Sequence, residues 1–184
     1  MQLRACSGQI LFFLAGSTLA LAQTPAVAPS RDELVKFLLK AKMSTYASQG
    51  DNATVKSPLL PGTHQLEYSD GPFLYRDIYT GSAMFAGQEM VYYGGKPVWT
   101  MSYAGNIPAD VSKDDVDALV KLLHKALMRV SAEIPYRGPR HLQDGAHTYS
   151  NFPEGRLDSF FGREAIARSD AVLYELRYGG GLVR

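Results

Sequence analysis

Cysteine occurs once in the 184 residues, at Cys6, ahead of an apolar run close to the N-terminus. The rest of the chain therefore has no disulfide staple, no thiolate metal site and no cysteine nucleophile. Charge of one sign is equally scarce, with 19 Lys+Arg against 18 Asp+Glu and a net charge of +1. A nucleic-acid partner needs a basic stripe that displaces counterions, and this balance excludes one. Long hydrophobic runs are missing too. The best of them, beginning at Ile10 and ending at Ala22, is diluted by Gly16, Ser17 and Thr18. It falls short of the roughly 20 apolar residues that span a bilayer. No zinc, haem or nucleotide motif is present, so neither a metal nor a cofactor is expected. His64, His124, His141 and His147 lack ligand spacing, and His124, set among lysines, reads as part of a solvated helix face. No Gly-x-Ser-x-Gly elbow exists. Gly94-Gly95-Lys96 reads as a hairpin turn rather than a phosphate loop.

What is present begins with an export signal. Arg4 supplies a positive region, Ile10 to Ala15 opens an apolar one, and Ala20-Leu21-Ala22 is a small-residue cleavage box. Residues 1–22 are expected to be removed as a signal peptide, placing the product in the periplasm or outside the cell with no stable membrane anchor. Residues 23–29 read as a flexible leader, and 30–184 as a single domain. Hydrophobic residues at 46% and charged residues at 20% suit a packed core that needs no staples. Asn52-Ala53-Thr54 is a glycosylation sequon, relevant only in a eukaryotic secretory route.

The domain reads as one unit used twice. Ser30 with Glu33 forms a capping box, and Leu34, Phe37, Leu38, Ala41 and Thr45 follow at helical spacing, so residues 31–47 are expected to be a helix. Ser112 with Asp115 starts another, whose stripe is Val116, Leu119, Val120, Leu123, Leu127 and Val130. Downstream, Pro61, Asp70, Gly71 and Tyr75 match Pro135, Asp144, Gly145 and Tyr149 at one constant offset. One residue of slippage later, Phe85-x-Gly87-x-Glu89-x-Val91 matches Phe160-x-Gly162-x-Glu164-x-Ile166. The register continues from Trp99, Tyr103 and Gly105 to Tyr174, Tyr178 and Gly180. Repeat one covers about residues 30–107 and repeat two about 112–184. The first helix-to-strand loop is longer, with its excess in the polar stretch from Gln49 to Ser57.

After each helix the pattern turns to strands. Phe73 to Tyr79 alternates, and Met84 to Tyr92, Gly94-Gly95 and Pro97 to Tyr103 make a hairpin whose glycines supply positive φ. Ser169-Asp170 fills the equivalent turn in the second copy. Strands joined by tight turns pair antiparallel, since no crossover helix is available. The expected fold is α+β: two α-β-β-β-β repeats forming a curved antiparallel sheet with the helices packed on one face.

Several of these residues carry a family resemblance. His64-Gln-Leu-Glu67-Tyr68, Tyr75-x-Asp77-x-Tyr79, Phe85-x-Gly87-x-Glu89, Trp99-x-Met101-x-Tyr103, Arg137-Gly138-Pro139 and the glycine-rich end near Gly180 stand in a shared order. Over about residues 31–184 the chain resembles a bacterial domain-of-unknown-function family, found alone or behind helix-turn-helix regulators. The resemblance implies no activity and transfers no catalytic residue. A signal peptide here replaces any DNA-binding head.

Candidate chemistry rests on Glu89, Glu164, Asp77 and Arg137. Glu89 and Glu164 occupy equivalent positions, and neighbouring carboxylates can divide acid and base roles. Gly87 and Gly162, two residues earlier, suit a bulge that would re-aim those side chains. Asp77 lies on a strand face with Phe73, Tyr75 and Tyr79, while its counterpart is the neutral Asn151. A buried carboxylate must find a cation, and Arg137, without a basic counterpart, is the expected partner. Tyr75, Tyr79, Trp99 and Tyr103 join Asp77 and Arg137 as a candidate ligand-binding face, since tyrosine couples a flat apolar ring to a hydroxyl. Two readings stand: a binding module for a small molecule, glycan or peptide on an aromatic-rich sheet face, or a hydrolase or lyase using a carboxylate pair with an arginine.

Overall fold

The computed structural model describes residues 28–47 and 53–184. The expected signal peptide, most of the leader and Asn52 lie outside the described residues. Both N-caps form, the first as a reciprocal capping box. At α1 (Arg31–Ala47) the Ser30 amide donates to Glu33 Oε2 at 2.8 Å, and the Glu33 amide donates back to Ser30 Oγ at 3.3 Å. At α2 (Lys113–Leu127) Ser112 Oγ accepts from the Asp115 amide and donates to its carboxylate. The α1 cap satisfies two amides and the α2 cap one, of those that a helix N-terminus leaves without partners.

Four strands follow α1: β1 (His64–Asp70), β2 (Phe73–Gly81), β3 (Met84–Tyr93) and β4 (Lys96–Asn106). Four more follow α2: β5 (His141–Asp144), β6 (His147–Arg156), β7 (Ser159–Arg168) and β8 (Ala171–Leu182). The Gly94-Gly95 turn takes φ of 55° and 79°, and Ser169 takes 51° in the matching turn. The sheet is antiparallel throughout, in the order β1-β2-β3-β4-β8-β7-β6-β5. Each half is thus a helix followed by a four-stranded meander, and the last strands of the two halves pair at the centre. This is an α+β fold.

α1 lies on β1 and β2, α2 lies on β5, β6 and β8, and the helices touch one another. Between helices and sheet sits the core. α1 contributes Leu34, Phe37, Leu38 and Ala41, the stripe its spacing predicts, and the sheet contributes Tyr75, Trp99, Tyr149, Phe160 and Tyr174. α2 departs from expectation. Leu119 and Leu127 are buried, but Leu122 and Ala126 complete the core face, while Val120 is 47% exposed. The apolar stripe of α2 is wider than its contact with the sheet, so one flank packs and the other borders a cavity.

The glycines also correct the sequence reading. Register shifts fall at Val91/Tyr92 and Ile166/Ala167, not at Gly87 or Gly162. Those two glycines instead make room for rings from the neighbouring strand. A Cβ at Gly87 would lie 2.5 Å from the Tyr103 ring, and one at Gly162 would overlap the Tyr178 ring. At the outer edge, residues 53–55 pair with β1 through Val55 N to Gln65 O and Glu67 N to Ala53 O, both 2.9 Å. This short segment covers backbone groups that an open edge would leave unpaired. Gly87→Ala is expected to destabilise the fold by about 1–3 kcal/mol, because Tyr103 is wedged between strands and has little room to give. Urea unfolding of the variant measures this directly, and an unchanged midpoint would mean that the ring moves freely.

Candidate functional site

Glu89 on β3 and Glu164 on β7 point into the core and are fully buried. A carboxylate in that setting needs compensating charge and donors. Each has its own cation. Lys42, from α1, pairs with Glu89. Arg137, from the segment after α2, forks onto Glu164, with Nε donating to Oε2 at 2.9 Å and Nη2 to Oε1. Tyr149 and Tyr174 add hydroxyl donors to Glu164 at 2.7 Å each. Burial opposes ionisation of Glu164, yet Arg137 and the tyrosines together hold its pKa below the usual value.

The expected Asp77–Arg137 pair is therefore not what forms. Asn151 explains why. Its Nδ2 donates to Gly138 O at 2.8 Å, pinning the Arg137 segment over the second half of the sheet beside Glu164. Asp77 instead accepts from the Tyr103 hydroxyl at 2.8 Å through Oδ1. Lys42 and Arg137 act on it only through their fields. Asp77 is 1% exposed and sits in register with Glu89 across β2 and β3. Burial, and then the nearby Glu89 charge, raise its pKa to about 7 against the weaker pull of Tyr103, Lys42 and Arg137.

Asp77 and Arg137 form the polar floor of a cavity of about 640 Å³ between the first half of the sheet and α2. Its walls are largely apolar: Leu66, Phe85 and Ile107 on one side, Leu119, Leu123 and Leu127 on the other. Exposed His64, Gly81 and Ser82 form its rim. His124, expected on a solvated face, is half-buried and lines the cavity, because the α2 face that carries it turns inward.

The structure brings four of the expected binding residues to this cavity: Asp77, Tyr79, Tyr103 and Arg137. Tyr75 and Trp99 belong to the core instead, each at 0% exposure, with Trp99 stacked on Phe160 at 5.8 Å. An open aromatic face is not available there, since the helices cover it. Lys42 escaped the sequence reading altogether. The signal was its position, four residues after Leu38 and three before Thr45, which puts it on the buried stripe of α1. The family model described as a domain of unknown function, DUF5680, matches residues 77–183. The chain belongs to that family. The matched stretch holds Asp77, Glu89, Tyr103, Arg137 and Glu164 but neither α1 nor Lys42, so it is shorter than the resemblance suggested. No curated protein and no solved structure matches the chain.

Two outcomes follow from this charge arrangement. Arg137→Met should cost about 3–5 kcal/mol, since it leaves Glu164 buried without its cation, and adding Glu164→Gln should recover part of the loss. Denaturant melts of the single and double variants give the coupling; additive losses would mean that the pair does not act as one. The second concerns pH. A carboxyl whose folded pKa is raised holds its proton when the unfolded chain has released it, so stability falls as pH rises from about 4 to about 7. Asp77→Asn removes that slope. The variant should melt above the wild type at pH 8, by on the order of a few kcal/mol, and the gap should close near pH 4. Thermal melts across that range would exclude the effect if the two curves ran parallel.

Proposed function

We propose that this chain is an exported, non-enzymatic binding module, and that its ligand is a small amphipathic molecule held in the cavity between the first half of the sheet and α2. The carrying observation is the cavity itself: about 640 Å³, apolar on its walls, with a buried carboxyl and an arginine at its floor. Small-molecule sites have this size and this economy of polar groups. Export rests on the N-terminal signal pattern, and the matching helix-plus-meander halves support a duplication.

The carboxylate-pair hydrolase or lyase is the weaker reading on chemical grounds. Among Glu89, Glu164, Asp77 and Arg137, only Asp77 and Arg137 border the cavity. Glu89 and Glu164 are each engaged in a buried ion pair, which leaves neither free to exchange a proton with a substrate. A pair of carboxylates facing one substrate is therefore lacking among the described residues.

A neutral apolar reporter, Nile red, tests the cavity. The wild type should raise its fluorescence on binding, and the double variant Val120→Trp/Leu123→Trp, which fills the α2 wall, should abolish the signal with its melting temperature retained. Equal binding by both proteins would move the site elsewhere.

A further inference from the structure

Asp77 and Asn151 hold equivalent places in the two halves. Each faces a glutamate in register across a strand pair, Glu89 and Glu164 respectively, and each accepts a tyrosine hydroxyl at 2.8 Å. They differ in what they do next. Asn151 uses both ends of its amide, accepting from Tyr178 and donating to Gly138 O. Asp77 uses only Oδ1. Its Oδ2 makes no hydrogen bond among the described residues, on a side chain that is 1% exposed and borders the cavity. The second half spends this position on structure. In the first half the same position, on a residue that lines the cavity, leaves one carboxyl oxygen without a hydrogen bond among the described residues.

Charge points to what that acceptor takes. Lys42–Glu89 and Arg137–Glu164 neutralise each other in pairs. Asp77 is the third buried carboxyl in a cluster with two buried cations, so once it gives up its proton the site is, among the described residues, one positive charge short. An anionic ligand would add a fourth negative charge where two cations are already committed. A neutral ligand would leave the imbalance in place. A cation would remove it, in a water-poor setting where a charge-assisted hydrogen bond is at its strongest.

We infer, building on the cavity-binding reading above, that the ligand is a small apolar molecule bearing one protonated amine, which donates to Asp77 Oδ2 and takes Asp77 as its counter-ion. Its apolar body lies against the flank of α2 that the core does not use. Asp77 is faced by Lys42 from α1, Glu89 from β3, Tyr103 from β4 and Arg137 from the segment after α2. His64, Tyr79, His124 and Tyr174 complete the titratable groups of the cavity wall. Since the free protein holds a proton on Asp77 up to about pH 7, amine binding below that pH releases it to solvent, and affinity should fall as the solution is acidified. Protonated His64 or His124 would also repel an amine, and any slope they cause persists when Asp77 is replaced.

Three probes of one shape separate the possibilities by calorimetry on the full mature chain: phenylbutylamine, phenylbutanol and phenylbutyrate. At pH 8 the amine should bind at least about tenfold more tightly than the alcohol, and the carboxylate most weakly. Asp77→Asn retains an acceptor for Tyr103 and copies the residue at Asn151; a thermal melt verifies its fold. In that variant the amine preference and most of the pH slope should vanish while alcohol binding persists. Alcohol binding equal to amine binding in the wild type, or an amine preference unaffected by Asp77→Asn, overturns the amine assignment and leaves the cavity reading standing. Failure of all three probes, with Nile red also unbound, removes the cavity reading and this inference together.

Discussion

Glu89 and Glu164 sit in the middle of the hydrophobic core, and a carboxylate there is tolerable only if a cation is brought to it. That requirement organises the molecule. Neither cation comes from the sheet: Lys42 arrives on α1 and Arg137 on the segment that follows α2. The two ion pairs therefore act as pins that set where each helical unit rests on its half of the sheet. Well-packed apolar residues in the same places could be as stable, so their value lies in fixing one arrangement of the helices, while loss of either partner strands a charge.

The tyrosines extend this logic. Tyr149 and Tyr174 complete the donor set of Glu164, and Tyr178 and Tyr103 serve Asn151 and Asp77. Gly87 and Gly162 are small because those last two rings lie over them. A polar network of this kind is held rigid where every member is satisfied. In the second half it is closed, with Asn151 joining the network to the loop that carries Arg137. In the first half it stops at Asp77, which lines the cavity. The same framework thus yields a structural anchor on one side and a chemically open position on the other.

The cavity has its own cause. α2 presents an apolar stripe broad enough for two jobs, and the core uses the flank with Leu122 and Ala126. Leu123 and Val120 are left facing the gap beside β1 and β2, where the protein buries Asp77. Among the described residues no helix is long and apolar enough to cross a membrane.

Much of the fold was legible from residue order alone. Caps, helical spacing, strand alternation and the paired-glycine turn are local signals, and local backbone preferences decide them, so both helices and the long hairpin strands lie where the pattern put them. The matched series also drew attention to Glu89, Glu164 and Asp77, three carboxyls that the fold buries. What spacing could not reveal was partnership. Arg137 looked like the cation for Asp77, but Asn151 holds its loop beside Glu164, and Lys42, on the buried stripe of α1 by its spacing, meets Glu89 only because α1 docks above it. Which flank of α2 packs and which lines a cavity was likewise beyond reach, since both flanks are apolar in sequence. Those outcomes depend on distances between segments far apart in the chain. Charge compensation and steric fit act across such distances only once the sheet and helices have assembled.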